Sequence, residues 1–443
     1  MGNRPIDPAT HQPRRLHDTE TASMATPSNR PSDRNEFEVA IVCALPPEHD
    51  AISLLIDRYW DEDGDKYGRA PGDENIYTTG RIGRFDVVLL LLPNMGKASA
   101  AGSAAGLRSS FLGLRLVLLI GTCGGVPRPG TPKEILLGDV VIGKTVVQYD
   151  FGRLYPDDFA TKDTPEDRLG RPTKNIRNMV SILETQRGRE RVERLAAGNL
   201  EQIQVKSAEK PRGANYQYPG AGADKLFEAT YRHKHQHLPA QCICAKCHGS
   251  SAPVCADALT APCDDLGCDD RYVVERTRVE VKRELERQGR WKEAQIPSMF
   301  VGRIGSGDTV LRSGGDRDRI ATRYDLLAFE MESAGVWDEV PCLVVKGVSD
   351  YADSHKNKRW QDFAAATAAS ITRALLELYM QTDRLSTACL GTLSPGGVSP
   401  RSESALINGD KVHLPAYEDN DSGHRGAERA YKSIICFKCS SIT

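Results

Sequence analysis

Short apolar runs alternate with helix-like segments in two parts of the chain, and this alternation constrains the fold more than any other feature. The strand-like runs are residues 39–43, 85–92, 116–120, 139–149, 299–304, 326–330 and 343–348. Amphipathic or Ala-rich segments typical of helices lie at 47–58, 97–112, 332–338 and 359–380. The runs are continuous and rich in β-branched residues, which is typical of strands buried on both faces. Strands alternating with helices predict an α/β sheet.

The charge balance and the absence of long apolar stretches exclude several classes of partner. The chain holds 58 Lys plus Arg against 60 Asp plus Glu, so it has no general attraction to nucleic acid or to acidic membranes. No apolar run approaches the roughly eighteen residues of a membrane-spanning helix, and no leader pattern opens the sequence. Twelve cysteines in 443 residues do not resemble a disulfide framework. We therefore expect a cytoplasmic protein with neither a nucleic-acid nor a membrane partner.

Composition divides the chain into a central domain and two tails. Residues 1–36 and 381–443 are poor in aliphatic side chains and are predicted to be disordered. The domain between them, 37–380, contains a segment at about 154–296 that breaks the alternation and is rich in Arg, Lys, Glu and Gln. We interpret this segment as a large polar insert, with a charged surface helix at 277–294 whose basic residues face the solvent.

The insert contains a cysteine-rich stretch at 242–268. Cys244 and Cys247 have the C-x-x-C spacing of a zinc knuckle, and Cys263 and Cys268 follow as a second pair. Two histidines in the same region, His237 and His248, could also complete a tetrahedral set. One interpretation is a structural zinc ion, and the other is a polar surface insertion with free, reduced cysteines.

Acidic residues lie at the ends of two successive predicted elements. Glu332 belongs to the run FEMESAGV at 329–336, and Asp350 belongs to KGVSDYAD at 346–353. The apolar segment 341–345 between them predicts a buried strand, and Asp350 is expected just past its carboxyl end, where open α/β sheets bind ligands. The run GTCGG at 121–125 follows another strand and predicts a glycine turn whose N–H groups could approach a ligand. Together these features predict a binding site.

Several of these motifs occur in the order found in one family. VAIVCALPPEHDA at 39–51, NMGKASAA at 94–101, LIGTCGGV and LLGDVVIG within 119–143, and RIGSGDTVL at 303–311 precede the two acidic motifs. The chain resembles the purine nucleoside phosphorylase and nucleosidase superfamily, in particular its hydrolytic branch, which includes methylthioadenosine/S-adenosylhomocysteine nucleosidase. The run DYADSHKNKRWQDFAAATAA resembles the nucleosidase-like domains of fungal NOD-like receptors. The resemblance covers about 37–153 and 297–380, and it implies a three-layer sandwich with a mixed central sheet, no required cofactor, and a homo-oligomer.

The resemblance also implies roles for individual residues. Asp350 would be the general acid that protonates the departing purine, and Glu48 would activate the attacking water. Glu332 with Met331 would bind the ribose, and Thr122 would place its hydroxyl near the nucleophile; Gly121 and Ser349 belong to the same motifs. Without the resemblance, Asp350 could be an ordinary turn or helix-capping residue, and Glu332 could simply favour the start of a helix.

Three departures from the family pattern bear on the substrate. Lys346 replaces an arginine four residues before Asp350, Val310 replaces an aromatic residue that stacks on adenine, and Leu45 replaces the methionine of the thioether pocket. These changes leave cleavage of an adenine nucleoside plausible but put a preference for methylthioadenosine in doubt. A nucleotide such as ATP is an alternative substrate, and its phosphates would need cations, for which the candidates are Lys97, Lys144, Arg153, Lys346, Lys356 and Arg359.

Two other functions remain open. A phosphorylase would use phosphate in place of water, but the position of its phosphate-binding arginine is Leu119, and a buried dianion without cations is costly. A nucleoside-sensing module in an immune-type pathway would bind the ligand without cleaving it. The presence of Glu48, Glu332 and Asp350 together favours the hydrolase, because a binding module needs no general acid.

Overall fold

The computed structural model of the chain describes residues 1–2, 30–64, 67–128, 130–210, 212–237, 241–247, 249 and 252–380. Most of the predicted N-terminal tail and all of 381–443 lie outside the described residues, as does His248. Residues 30–36 of that predicted tail are nevertheless packed on the domain. The Arg30 guanidinium donates to the Tyr67 hydroxyl (2.9 Å) and to the Trp60 carbonyl (2.9 Å). The ordered domain therefore starts before residue 37.

The elements of the described residues follow in chain order. The strands are β1 Val39–Cys43, β2 Arg58–Tyr59, β3 Tyr77–Ile82, β4 Phe85–Leu91, β5 Leu116–Gly125, β6 Val140–Gln148, β7 Gly152–Leu154, β8 Phe159–Thr161, β9 Met299–Ser306, β10 Leu326–Glu330 and β11 Cys342–Asp350. The helices are α1 Pro46–Ser53, α2 Lys97–Ser110, α3 Lys174–Glu184, α4 Gln186–Ala208, α5 Cys263–Leu266, α6 Thr277–Arg287, α7 Trp291–Ala294, α8 Gly314–Tyr324, α9 Ser333–Trp337 and α10 Gln361–Leu378.

Nine strands form one mixed sheet in the order β10-β9-β6-β11-β5-β1-β4-β3-β2. β1, β4, β5 and β11 are mutually parallel where they pair, whereas β6 runs antiparallel to β11. β10 also pairs with β5, through Ala328 opposite Gly125 and Phe329 opposite Gly124. This pairing closes β5, β11, β6, β9 and β10 into a ring, from which the other four strands extend as an open sheet.

Helices cover both faces of the sheet, as the neighbours of two consecutive residues in β11 show. Successive side chains of a strand point to opposite faces. Lys346 contacts Glu332 at the start of α9, and the α-carbon of Gly347 faces the Ala364 carbonyl in α10. α9 packs on α2, while α10 packs on α1 and α4, so two helical layers enclose the sheet. The mixed α/β sandwich predicted from the sequence is confirmed.

The predicted strands are present, but β5, β9 and β11 are each longer than the apolar run from which they were predicted. β5 continues through Gly121–Gly125, where we predicted a glycine turn, because β11 and β10 supply hydrogen-bond partners on both of its edges. β11 likewise continues to Asp350, which was expected just past the strand. α1, in contrast, ends at Ser53 and not at residue 58, since the chain next joins the edge of the sheet as β2.

The segment 154–296 is less peripheral than its composition suggests. α3 and α4 lie within it, and α4 packs along α10 with Val192, Ala196, Leu200 and Ile203 in the main core. The expectation that the basic residues of 277–294 simply face the solvent is wrong for Arg278, which forms an ion pair with the buried Asp139. Polar residues dominate this segment because one narrow stripe of each helix is enough to cover the core.

The four cysteines predicted to share one zinc ion are not brought together. Cys263 and Cys268 lie near each other, but Cys244 lies in another part of the same segment. The Cys247 thiol faces the carbonyls of Gly249 and Ala252, whereas Cys244 Sγ lies 3.7 Å from Cys255 Sγ. Among the described residues, no helix is long and apolar enough to span a membrane.

Candidate active site

A cavity of ≈ 330 Å³ lies where β5, β10 and β11 end and where the chain leaves β1. Its wall contains three of the predicted carboxylates and most of the other predicted site residues. The residues that line the cavity include Glu48, Thr122, Tyr149, Val310, Arg312, Phe329, Glu330, Met331, Glu332, Ser349, Asp350, Lys356 and Lys358. Of the predicted site residues, Gly121 and Lys346 lie behind this wall and support it.

The carboxylate of Glu48 is held by four hydrogen bonds. Its Oε2 accepts from the backbone N–H groups of Ala44 (3.1 Å) and Leu45 (3.0 Å). Through these bonds the Glu48 side chain also caps the start of α1. Its Oε1 accepts from the Thr122 N–H (2.8 Å) and hydroxyl (3.2 Å). Burial raises the pKa of Glu48, although the Lys346 ammonium and these N–H donors oppose the rise. The carboxylate is therefore both fixed in position and more basic than an exposed one.

Gly121 allows Glu48 to approach β5 this closely. A β-carbon at position 121 would lie 2.7 Å from Glu48 Oε1 and 2.8 Å from its carboxyl carbon, which is inside van der Waals contact. The GTCGG motif is therefore the end of a strand and not the predicted turn, and its first glycine is explained by the lack of space for a side chain beside Glu48. Its role is to admit the Glu48 carboxylate beside Thr122.

The buried ammonium of Lys346 lies among carboxylates. Its Nζ is 3.1 Å from Glu332 Oε2 and 3.4 Å from Glu330 Oε2. Burial opposes the charged form, but the carboxylates of Glu332, Glu330 and Glu48 hold the pKa of Lys346 above its ordinary value. One positive charge beside three acidic groups leaves this end of the cavity suited to a cationic ligand or a cation-like transition state.

Glu330 and Glu332 have different partners, although they are only two residues apart. Glu330 accepts from the Ser333 N–H and hydroxyl and from the Glu332 N–H, so it caps the start of α9. Glu332 accepts from Lys346 and, at 3.4 Å, from the Gly96 N–H at the start of α2. Glu332 makes fewer hydrogen bonds within the protein than Glu330, which leaves it more capacity to accept bonds from a ligand.

Asp350 is buried at the end of β11 and has three polar neighbours. Its Oδ1 accepts from the Ala352 N–H (2.9 Å), and its Oδ2 lies 2.9 Å from the Lys356 ammonium. The Ser349 hydroxyl lies 2.8 Å from Asp350 Oδ2 and 3.2 Å from the Cys123 carbonyl. Because this hydroxyl can donate to either acceptor, it can accommodate Asp350 in both its charged and its protonated form.

Aromatic surface in the cavity comes from residues that sequence reasoning missed. Val310, which occupies the predicted stacking position, is 47% exposed. Tyr149 and Phe329 line the same cavity as an edge-to-face pair with ring centroids 5.4 Å apart. Phe329 lies within the FEMESAGV motif and Tyr149 at the end of a predicted strand, so their positions at strand ends were the available signal. Met331 lines the cavity as expected.

Only one of the six predicted phosphate-binding cations lines the cavity. Lys356 does so, but it pairs with Asp350. Lys97 pairs with Asp150 and Lys144 pairs with Glu184, and both lie outside the cavity lining. Arg153 and Arg359 also lie outside it, and Lys346 is committed to Glu332. The cavity wall instead contains two cations that no sequence motif indicated, Arg312 and Lys358.

The chain is similar in sequence to several known proteins. Residues 38–206 match the model of the phosphorylase superfamily. A nucleotide-binding leucine-rich repeat (NLR)-like protein of Hyaloscypha variabilis is 27% identical over 82% of this chain and 31% of its own length. The ATP nucleosidase Cap17 of Escherichia coli is 35% identical over 17% of this chain and 16% of its own length. The 5'-methylthioadenosine/S-adenosylhomocysteine nucleosidase of Mycobacterium tuberculosis is 29% identical over 30% of this chain and 49% of its own length.

This chain therefore spans less than half the length of each of these relatives. Among solved structures, the methylthioadenosine/S-adenosylhomocysteine nucleosidase of S. pneumoniae aligns with a TM-score of 0.43 and 16% identity, over 77% of this chain and 99% of that one. The futalosine hydrolase of Helicobacter pylori aligns with a TM-score of 0.42 and 14% identity, over 77% and 98%. The family match to residues 38–206 agrees with the order of the motifs, and this part of the chain is similar to the phosphorylase superfamily.

Proposed function

We propose that the chain is a purine nucleosidase, which hydrolyses the N-glycosidic bond of an adenine nucleoside or nucleotide. The observation that carries this proposal is that Glu48, Glu332 and Asp350 line one cavity although they are distant in sequence. Cleavage of the bond requires a proton for the leaving base, stabilisation of an oxocarbenium-like ribosyl group and a nucleophile at the anomeric carbon. Each carboxylate has surroundings suited to one of these tasks.

Asp350 delivers the proton to the leaving base. A purine with its ring between Phe329 and the Asp350 side of the cavity would place a ring nitrogen within reach of the carboxyl. As the glycosidic bond breaks, its electron pair passes to the purine, and the proton of Asp350 neutralises the base. Ser349 and the Ala352 N–H keep the carboxyl in place during this transfer.

Glu332 binds the ribose and stabilises the positive charge that develops on it. A carboxylate can accept two hydrogen bonds, which suits the two neighbouring hydroxyl groups of ribose. Lys346 holds Glu332 from behind and remains charged, so the Glu332 carboxylate does not have to move when the substrate binds. Met331 supplies an apolar contact beside the sugar.

Glu48 activates the attacking water. The weakest of its four hydrogen bonds is the 3.2 Å contact with the Thr122 hydroxyl, and a water molecule could replace it. The raised pKa of Glu48 makes the carboxylate a better acceptor for the proton of that water. The water oxygen then bonds to the anomeric carbon, and its proton passes to Glu48.

Water is favoured over phosphate as the nucleophile. The N–H donors at this end of the cavity, from Ala44, Leu45 and Thr122, already bind the Glu48 carboxylate. A phosphate dianion in the same place would lie beside Glu48 and Glu332, and the buried cation nearby, Lys346, is committed to the acidic side chains. The negative charges of Glu48 and Glu332 would repel a phosphate dianion in contact with them and strongly disfavour its binding.

The experiment is an assay of free adenine, by chromatography, after incubation with adenosine, methylthioadenosine, AMP or ATP. Each reaction is run with and without phosphate. We expect adenine release without phosphate, and a decrease of about a hundred- to ten-thousand-fold in Asp350→Asn and in Glu48→Gln. The controls, Asp163→Asn and Glu184→Gln, make the same chemical changes at exposed positions outside the cavity lining and should retain activity.

Two results would contradict the proposal. Strict dependence on phosphate would identify a phosphorylase, and binding of nucleoside without release of base would identify a sensing module.

The choice between nucleoside and nucleotide is tested with Arg312→Ala and Lys358→Ala, which remove cations from the cavity wall. If ATP is the substrate, these changes raise the KM for ATP and leave that for adenosine unchanged.

A further inference from the structure

Cysteine and histidine side chains form two separate groups outside the cavity lining. Among the described residues, each group offers four ligand atoms that lie within 4.8 Å of one another. The first cluster is His233, Cys263, Cys268 and His355, and the second cluster is His235, Cys242, Cys244 and Cys255. Two Cys with two His, and three Cys with one His, are both sets of donors that hold structural zinc.

The distances between the ligand atoms match a tetrahedron around zinc. With Zn–N and Zn–S bonds of usual length, the edges are about 3.3 Å for N···N, 3.6 Å for N···S and 3.8 Å for S···S. In the first cluster the two histidine Nδ1 atoms are 3.3 Å apart, and Cys263 Sγ is 3.7 and 3.5 Å from them. In the second cluster Cys244 Sγ and Cys255 Sγ are 3.7 Å apart, which is far too long for a disulfide.

The outward-facing nitrogen of each histidine ring binds an oxygen atom. His233 Nε2 lies 2.9 Å from the Ala261 carbonyl, and His355 Nε2 lies 3.2 Å from the Tyr231 carbonyl. His235 Nε2 lies 3.2 Å from a carboxylate oxygen of Asp257. A carbonyl oxygen only accepts, so it fixes the proton on Nε2 and leaves the Nδ1 lone pair directed into the cluster.

This assignment leaves a problem that a cation would solve. The Nδ1 lone pairs of His233 and His355 face each other at 3.3 Å, and neither nitrogen carries a proton to share. The sulfur atoms face the same centre, since Cys263 Sγ lies 3.5 Å from His355 Nδ1 and Cys268 Sγ lies 3.5 Å from His233 Nδ1. In the second cluster the Cys255 N–H points at Cys244 Sγ (3.4 Å), a contact that stabilises thiolate sulfur.

We propose that the segment 233–268 binds two zinc ions, one in each cluster, and that the first cluster joins this segment to the loop that positions Asp350. His355 is the ligand that makes this join, since the other three ligands of the first cluster lie at positions 233–268. Neutral imidazole and thiolate sulfur in tetrahedral arrangement favour zinc over magnesium or calcium, which prefer oxygen ligands.

The loop after β11 connects the first cluster to the cavity. His355 adjoins Lys356, whose ammonium lies 2.9 Å from Asp350 Oδ2. The His355 ring stacks on Phe227, with centroids 4.1 Å apart, and Tyr351 in the same loop hydrogen-bonds to the buried Asp224. A metal ion on His355 would fix one end of the six-residue span 350–355, whose other end is Asp350. Zinc in the first cluster therefore acts on the reaction by positioning, without touching the substrate.

The first test counts zinc by mass spectrometry in the full chain, after equilibration with zinc chloride and gel filtration. We expect two zinc ions in the wild type, one in the Cys263→Ser/Cys268→Ser variant and one in the Cys242→Ser/Cys255→Ser variant. Cys247→Ser is the matched control: it removes a thiol from the same segment, in the C-x-x-C pair, but outside both clusters. It should retain both ions.

Two outcomes of this count would overturn the proposal. A wild type that retains no zinc would exclude both sites, and a Cys247→Ser variant that loses an ion would show that the geometric assignment is wrong. Cobalt substitution gives an independent readout, because tetrahedral sites with two and with three thiolates differ in their sulfur-to-cobalt absorption. That spectrum identifies the donor set in the wild type, so the proposal remains testable even if a cysteine variant fails to fold.

The second test examines the coupling to Asp350 with His355→Gln and His235→Gln, each of which should remove one ion. Hydrogen exchange should show lost protection in residues 351–358 for His355→Gln but not for His235→Gln. Measurement of activity in the same variants rests on the proposed nucleosidase function. His355→Gln should lower the rate of adenine release by about ten- to a hundred-fold, whereas His235→Gln should release adenine at a rate close to that of the wild type.

These readouts separate failure of the inference from failure of the proposed function. A wild type with two zinc ions and no adenine release would contradict the nucleosidase alone. A His355→Gln variant with one ion, full loop protection and full activity would contradict the coupling, because the metal would then have no effect on the loop.

Discussion

The carboxylate of Glu48 is buried, yet both of its oxygens accept hydrogen bonds. Burial is the largest influence on its pKa and raises it above the ordinary value of 4.5. A base must be deprotonated to accept a proton from water, so the rate should fall as the pH decreases through this raised pKa. We expect the acid limb of kcat/KM for adenine release at a higher pH than for an exposed glutamate.

The matched variant for this prediction is Glu332→Gln. The negative charge of Glu332 contributes to the raised pKa of Glu48, so its removal should move the acid limb to lower pH, while ribose binding also weakens. A pH profile for each protein tests both expectations. An acid limb at the same pH in the two proteins would mean that a group other than Glu48 controls it.

Lys346 compensates the charge of the acidic side chains around it. Its side chain is 1% exposed and lies between Glu330 and Glu332. Lys346→Met would retain most of the volume but leave the carboxylates buried without their cation. Removing one partner of a buried pair lowers the free energy of unfolding by about 3–5 kcal/mol, and urea unfolding should show a loss of this size.

A second substitution tests the cause of that loss. In the double variant Lys346→Met/Glu330→Gln, one of the uncompensated charges is removed, so part of the lost stability should return. If the double variant is less stable than Lys346→Met by the full effect of Glu330→Gln alone, the two residues do not interact, and charge compensation is not the explanation.

At the scale of elements, the end of β5 and the start of α1 are brought together by Gly121. Gly121→Ala would place a β-carbon 2.7 Å from Glu48 Oε1, so the carboxylate must shift. Misplacing a reacting group by about 1 Å can lower a rate by about a hundred-fold. We expect a loss of this order in kcat for adenine release, with the fold retained in circular dichroism.

Gly102→Ala is the control for this substitution. Gly102 lies inside α2, and a β-carbon there would have no atom within 4 Å. Alanine favours a helix interior over glycine by about 0.5–1 kcal/mol, so this variant should be slightly more stable and fully active. Equal activity of the two alanine variants would show that contact between position 121 and Glu48 does not matter for the reaction.

The elements that could be predicted from the sequence are those whose signal is local. β1 and β10 have the predicted bounds, because each is a continuous apolar run of five residues. The glycine-rich end of β5 was predicted as a turn, since pairing with β10 and β11 is what makes it a strand and that pairing is not visible in the run itself. α3 and α4 were not predicted because their apolar stripes are narrow.

At the scale of the whole molecule, α4 makes the predicted polar insert part of the core. Leu200 is fully buried in the main core, and Asn199 beside it donates to the Ser370 carbonyl of α10 (3.0 Å). Leu200→Ala would leave a cavity in this core. A buried Leu→Ala change lowers the free energy of unfolding by about 2–5 kcal/mol, which urea unfolding would detect.

Val205 on the same helix provides the comparison. Its side chain is 58% exposed, so Val205→Ala should change the free energy of unfolding by no more than about 0.5 kcal/mol. A similar, small effect of both substitutions would mean that the 154–296 segment is a peripheral addition, as its composition suggested, and that α10 is stable without it.

The candidate site was more predictable than its surroundings. Glu48, Thr122, Glu332 and Asp350 were identified because each belongs to a short motif with a recognisable order, and the cavity contains all four. The composition of the two clusters was not predicted, because the first combines His233 with His355, 122 positions later. The sequence spacing indicated the C-x-x-C pair of Cys244 and Cys247, whereas the fold brings together residues that are distant in sequence. Arg312 and Lys358 also reach the cavity from loops without any motif.

The ring of strands joins segments that are synthesised far apart in time. β5 ends at Gly125, whereas its neighbours β10 and β11 begin at Leu326 and Cys342. A ribosome adds about 5–20 residues per second, so a nascent chain would carry β5 for about 10–40 s before β11 is made. During that interval Glu48 and Thr122 exist without Glu332 and Asp350. The cavity that contains all four residues would therefore be complete only when the ring closes, and the proposed cleavage of nucleosides could begin only then.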